Sequence, residues 1–91
     1  MPSKQDKGPK IHLIFIINGQ DYTVEANLHA PLMVAVQQAL VESGNQGRPA
    51  EEWEVRNVSG VLLDKSKTPL ELGLVDGTRL FLSLRVGAGG E

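Results

Sequence analysis

Side chains able to do chemistry are few in this sequence, and they are scattered. His12 and His29 are too isolated for a metal site, and His12 is placed to pair with Glu25 across a hairpin. Glu51, Glu52 and Glu54 read as a solvated acidic surface, not as an acid–base pair. Ser59 and Ser66 have no base beside them. Cysteine is absent, which removes thiol nucleophiles, thiolate metal sites and disulfides together. The expectation is therefore no catalytic residue, no metal, no cofactor and no enzymatic activity of the chain's own. What remains is backbone chemistry at Gly87-Ala88-Gly89-Gly90-Glu91, with Arg85 shortly before it. Glycine lacks Cβ, so such a segment can pass through a narrow channel and take unusual dihedrals. The plainer alternative is that a glycine-rich end is only a linker.

For such an end to matter, a compact body has to hold it out. The chain has 91 residues, which predicts one domain, and 41% of them are hydrophobic, enough for one core. With one Trp, one Tyr and two Phe, aliphatic side chains must fill most of that core, which argues against a broad cofactor cavity. A net charge of −2 gives no footprint for nucleic acid and no polybasic membrane anchor. The runs Leu13-Ile14-Phe15-Ile16-Ile17 and Leu32-Met33-Val34-Ala35-Val36 are far too short to span a bilayer. The polar start Met1-Pro2-Ser3-Lys4-Gln5-Asp6-Lys7-Gly8-Pro9 lacks an apolar signal core, and cytoplasmic residence is expected. Residues 1–9 are expected to be a disordered amino-terminal tail, 10–86 the folded domain, and 87–91 a flexible carboxyl-terminal diglycine tail.

Residues 10–26 predict a β-hairpin. Asn18-Gly19 suits a type I′ turn, whose two central positions need positive φ. That turn places Ile17 opposite Gln20, Phe15 opposite Tyr22, Leu13 opposite Val24 and Ile11 opposite Ala26, all on one face. The other face pairs Ile16 with Asp21, Ile14 with Thr23, and His12 with Glu25. Turn chemistry and hydrophobic phase give the same register. Residues 31–43 predict a helix, with Met33, Val36 and Leu40 at spacings of three and four and Leu32, Ala39 and Ser43 flanking them. Pro31 suits the first turn and Gly44 a left-handed stop, while Asn27 or His29 replaces the poor cap Ala30.

A polar connection over 44–52, with a short helical turn after Pro49, leads to a third strand from Trp53 to Val58. Ser59-Gly60 marks a turn and Val61-Leu62-Leu63 a fourth strand, followed by the charged loop Asp64-Lys65-Ser66-Lys67. The compact segment 69–75 reads as a 3₁₀ or helical turn, and Asp76-Gly77 as another tight turn. The last strand, 79–86, alternates cleanly: Leu80, Leu82 and Leu84 face the helix, and Arg79, Phe81, Ser83 and Arg85 face away. Trp53 reads as a partly buried packing residue. The order ββαββ, a short turn, then β is a two-layer α+β arrangement.

This order of elements resembles ubiquitin and its relatives over roughly residues 10–90. The matching features are the opening hairpin with Thr23-Val24-Glu25, the helix spacing Met33, Val36 and Leu40, the turn glycine Gly60, the final strand from Leu80 to Val86 with Arg85, and Gly89-Gly90. The resemblance implies a β-grasp fold: a mixed four- or five-stranded sheet with one crossing helix. It is similar in particular to the small bacterial ubiquitin-like modifiers encoded with activating, conjugating and JAMM-peptidase enzymes. The implied role is a protein modifier. A JAMM-type peptidase cuts Gly90–Glu91, and an activating enzyme adenylates the Gly90 carboxylate with ATP and takes it as a thioester. A conjugating enzyme then delivers it to target proteins through an isopeptide-type bond.

Gly87-Ala88 stands where a second basic residue is typical of that family. If the first and last strands are neighbours, as the resemblance implies, Ile14, Ile16 and Phe81 form an exposed apolar patch for partners, and Arg85 a contact with the activating enzyme. Asn57 and Ser83 stand where ubiquitin has apolar contacts, so ordinary ubiquitin receptors are not expected to bind. Lys4, Lys7, Lys10, Lys65 and Lys67 could accept a second modifier. Two alternatives stay open: a β-grasp sulfur carrier with a carboxyl-terminal thiocarboxylate, and a non-covalent interaction domain with an inert tail.

Overall fold

The computed structural model describes residues 9–85. Residues 1–8 of the expected amino-terminal tail, Val86 and the whole expected tail 87–91 lie outside the described residues. Strand β1 (Lys10–Ile17) and strand β2 (Gln20–Asn27) are joined through Asn18 and Gly19, whose φ values are 53° and 81°. The register runs Ile17↔Gln20, Phe15↔Tyr22, Leu13↔Val24 and Ile11↔Ala26, as turn and hydrophobic phase require. Helix α1 (Leu32–Ser43) follows, then a 3₁₀ turn (Ala50–Glu52), β3 (Trp53–Arg56), the short β4 (Leu62–Leu63) and β5 (Thr78–Leu84). The five-stranded sheet has the order β2-β1-β5-β3-β4. Strand β5 is parallel to β1 and every other pairing is antiparallel. This is a mixed sheet crossed by one helix, the α+β β-grasp arrangement.

One face of the sheet makes the core. Leu13, Phe15, Leu80 and Val55 are fully buried there, with Ile17 and Leu82 nearly so. Each such side chain contributes about 1.5–3 kcal/mol relative to staying in water. The helix meets them with Leu32, Ala35, Val36, Ala39 and Leu40. Val36 and Leu40 are buried as expected, with Leu32 and Ala39 beside them, but Ala35 joins the stripe and Met33 is only half-buried at its edge. Leu84 has the inward phase but, unlike Leu80 and Leu82, is 42% exposed. Trp53 is more buried than expected, and its indole Nε1 finds no acceptor among the described residues.

The helix ends illustrate two kinds of capping. At the carboxyl end Gly44, with φ 75°, lets its own N–H reach Val41 O and the Asn45 N–H reach Leu40 O. At the amino end Pro31 is the cap residue and offers no side-chain bond. The donors without intrahelical partners are met from afar: the Leu32 N–H bonds Lys67 O at 2.8 Å and the Met33 N–H bonds Lys65 O at 2.9 Å. Asn27 does not cap the helix; its Oδ1 accepts the His29 N–H at 2.7 Å and shapes the preceding turn. Strands β3 and β4 are shorter than the sequence suggests, because Asn57 turns the chain early. Its Oδ1 accepts the N–H groups of Ser59 and Val61 at 2.9 and 3.0 Å. Residues 69–73 form hydrogen-bonded turns of helical type, as expected: the Leu72 N–H donates to Thr68 O at 3.0 Å and the Gly73 N–H to Leu70 O at 3.1 Å.

Candidate functional site

The helix-free face of the sheet is where the sequence-predicted residues come together. Parallel pairing sets Ile14 beside Arg79 and Ile16 beside Phe81. Antiparallel pairing continues the row from Phe81 to Arg56 and from Arg56 to Leu62. On the other side Ile16 meets Asp21 and Ile14 meets Thr23. One row therefore reads Asp21, Ile16, Phe81, Arg56, Leu62 across all five strands. Phe81 is 41% exposed, whereas Ile14 and Ile16 are half-buried.

Charge frames this strip. Arg79 Nη2 lies 3.0 Å from Asp21 Oδ2 and so links β5 to β2 across β1, over the part of the strand that carries Ile14 and Ile16. Arg56 Nη2 lies 3.0 Å from Glu54 Oε1, and Arg56 Nη1 donates to Gly60 O at 3.2 Å. Such largely exposed pairs contribute about 0–1 kcal/mol each. Their main effect is to fix where charge and apolar surface alternate. Asn57 is committed to its turn, and Ser83 sits on this face beside Glu54.

Arg85, also exposed, is the last described residue, and its N–H donates to Glu52 O at 2.8 Å. Gly89, Gly90 and Glu91, the expected acyl donor and cleavage point, lie outside the described residues. The shallow depression next to Arg85 is lined by Trp53, Leu63, Lys65 and the acidic Glu51, Glu54 and Asp64.

Four contacts go beyond what the sequence predicts. His12 does not turn to Glu25: its Nδ1 lies 3.1 Å from Asp76 Oδ1, and the same carboxylate oxygen accepts the His12 backbone N–H at 2.7 Å. Glu25 instead has Lys10 Nζ at 3.9 Å. The two bonds from His12, the backbone one first, hold the Asp76 carboxyl below the usual carboxylate range. Asp64 is likewise lowered, first by the Ser66 hydroxyl and then by the Ser66 N–H. Lys65 is no free acceptor amine. Its Nζ donates to Ala50 O at 2.8 Å, to Glu51 O at 3.3 Å and to Trp53 O. Burial lowers its pKa. Backbone acceptors leave no side-chain signature, so the sequence held no signal for this contact. Lys10 and Lys67 are exposed. Among the described residues no three of His, Cys, Asp and Glu gather as a metal site, and no helix is long and apolar enough to cross a membrane.

Known proteins agree with the architecture. A de novo protein designed on ubiquitin superposes with a TM-score of 0.74 at 21% identity, over 92% of this chain and 100% of its own. The solution structure of a ubiquitin-like domain from Arabidopsis thaliana matches with a TM-score of 0.72 at 15% identity, over 100% of this chain and 94% of its own. At those identities the likeness concerns the fold, which is ubiquitin-like. A relative from Sinorhizobium fredii (strain NBRC 101917 / NGR234), "Uncharacterized protein y4jI", is 43% identical over 84 residues. That match takes in 91% of this chain and 65% of the relative, so the chain spans just under two thirds of the relative's length. The family described as "Protein of Unknown function (DUF2604)" matches residues 6–90, from ahead of β1 through Gly89-Gly90, and the chain belongs to it.

Proposed function

We propose that this chain is a ubiquitin-like protein modifier. A JAMM-type peptidase hydrolyses the Gly90–Glu91 bond and leaves a Gly90 carboxylate. An activating enzyme joins that carboxylate to AMP from ATP, releasing pyrophosphate. A cysteine of the same enzyme then displaces AMP to give a thioester. The acyl group passes to a conjugating enzyme's cysteine and on to an amine of a target protein. The chain itself supplies the acyl donor and the docking surface, its partners supply catalysis, and the cycle runs in the cytoplasm, where ATP is at hand. Phe81, Ile14 and Ile16 would meet the partner enzymes through the outer strip, and Arg85 would meet the activating enzyme at the end of β5.

The observation that carries this reading is a ubiquitin-like body whose final strand is followed, a few residues on, by Gly89-Gly90. Glycines without Cβ suit passage through a narrow catalytic channel. The test incubates the form ending at Gly90 with its cognate activating enzyme and ATP, and reads intact mass under non-reducing conditions. The expected product is a thiol-sensitive adduct of enzyme and modifier. A thiocarboxylate on the chain alone would replace this reading with a sulfur carrier. No adenylate and no adduct would leave a non-covalent interaction domain.

A further inference from the structure

Lys65 joins three parts of the fold through both its ends. Its backbone oxygen caps the Met33 N–H, and Lys67 O, on the same loop, caps the Leu32 N–H. Its ammonium meets Ala50 O, Glu51 O and Trp53 O. An ammonium has three donors, and these carbonyls engage all of them. The β3–β4 ladder ends at Val55↔Leu63, so β4 supplies no N–H to the Trp53 carbonyl. Two residues after Leu63, the Lys65 side chain supplies that donor instead. The segment it grips includes Glu52, whose carbonyl accepts the Arg85 N–H at 2.8 Å, just beyond the Trp53↔Leu84 pair.

We propose that Lys65 is a positioning residue: it clamps residues 50–53 so that Glu52 O receives the Arg85 N–H, and thereby fixes where β5 ends ahead of the diglycine segment. That activation depends on this fixed end rests on the modifier reading above; the clamp itself does not. Three charge-assisted bonds converge on a segment with only three residues of 3₁₀ helix, which has little cooperativity of its own. Without the ammonium, the carbonyl of buried Trp53 loses its donor and Ala50 O keeps only the Trp53 N–H, so the segment is free to shift toward water.

The full chain and its K65M variant are compared by amide hydrogen exchange in NMR. Methionine keeps most of the stem and removes the charge. Protection of the Arg85 amide is expected to fall by about tenfold more than that of Phe15 in the same variant, a local opening rather than global loss. Equal falls, or none at Arg85, overturn the clamp. Should K65M fail to fold, limited acetylation of the unaltered chain decides. Lys65 is expected to react about tenfold more slowly than Lys67, and equal rates overturn the proposal. Absence of a thioester with the unaltered chain would remove the modifier reading and leave the exchange result standing.

Discussion

Two turns built on the same residue pattern behave differently in this molecule. Asn18-Gly19 closes β1 onto β2, its immediate neighbour, in antiparallel pairing. Asp76-Gly77 has the same Asx-Gly form, yet it delivers β5 beside β1 in parallel pairing. The first turn is self-sufficient, since positive φ at both positions matches the twist of the flanking strands. The second is held from across the chain. Asp76 accepts from His12, 64 residues away, and the Gly77 N–H donates to His12 O at 2.7 Å. Turn chemistry thus announces that the chain reverses but does not say which strand it reverses onto. That information lies in the burial of β1, the strand both turns serve.

The largest way to break the comparison is therefore in β1 itself. Phe15 is fully buried between β2 and β5, and Phe15→Ala should cost about 3–5 kcal/mol, loosening both turns at once. Phe81→Ala, on the outer strip and 41% exposed, should cost about 1 kcal/mol or less. Urea denaturation followed by Trp53 fluorescence measures both. Equal costs would mean that the two faces of the sheet do not differ as described.

A smaller test compares the turns directly. Gly19 and Gly77 have φ values of 81° and 86°, and a Cβ at either would meet nothing within 4 Å. Gly19→Ala and Gly77→Ala should then cost the strain of the left-handed conformation alone, about 1 kcal/mol each. A markedly larger loss at Gly77 would show that strain there is transmitted through the bond to His12 O. Thermal midpoints of the two variants decide this.

What was legible in the sequence follows the same division. The hairpin register could be read because two independent signals, Asn18-Gly19 and the alternation of Leu13, Phe15 and Ile17, had to agree. The strip joining Ile16 to Phe81 is legible only if strands β1 and β5 are neighbours, which the resemblance alone implies. The helix and most of its buried stripe, Val36 and Leu40 with Leu32 and Ala39, are legible in the spacing; the place of Met33 is not. Ala35 is buried and Met33 only half-buried, because which edge of the stripe meets the sheet is set by the packing of the whole helix and not by its spacing alone. In the sequence Lys65 is one more residue of a charged loop, since its partners are main-chain oxygens that any residue carries. Likewise His12 faced Glu25 in register, and nothing local revealed that Asp76 would arrive beside it.

That arrival gives the smallest and most selective test. The Asp76 carboxylate accepts from the His12 backbone and ring and has its pKa lowered in the folded state. A carboxylate so lowered stabilises the fold fully above its unfolded value, about pH 4, and loses that contribution as pH falls through the lower folded value. Both partners are well exposed, so solvent screens the effect and the gain at neutral pH is slight. Asp76→Asn cannot gain a proton, so it should lie slightly below the unaltered chain in thermal midpoint at neutral pH and converge with it in acid. Asn18 has no ionisable group, so the penalty of Gly19→Ala should stay constant over the same range. If the Asp76→Asn difference were equally constant, the carboxylate would not be what ties the second turn to β1. The tie at the turn would then be the Gly77 N–H bond to His12 O, just ahead of the β1–β5 ladder.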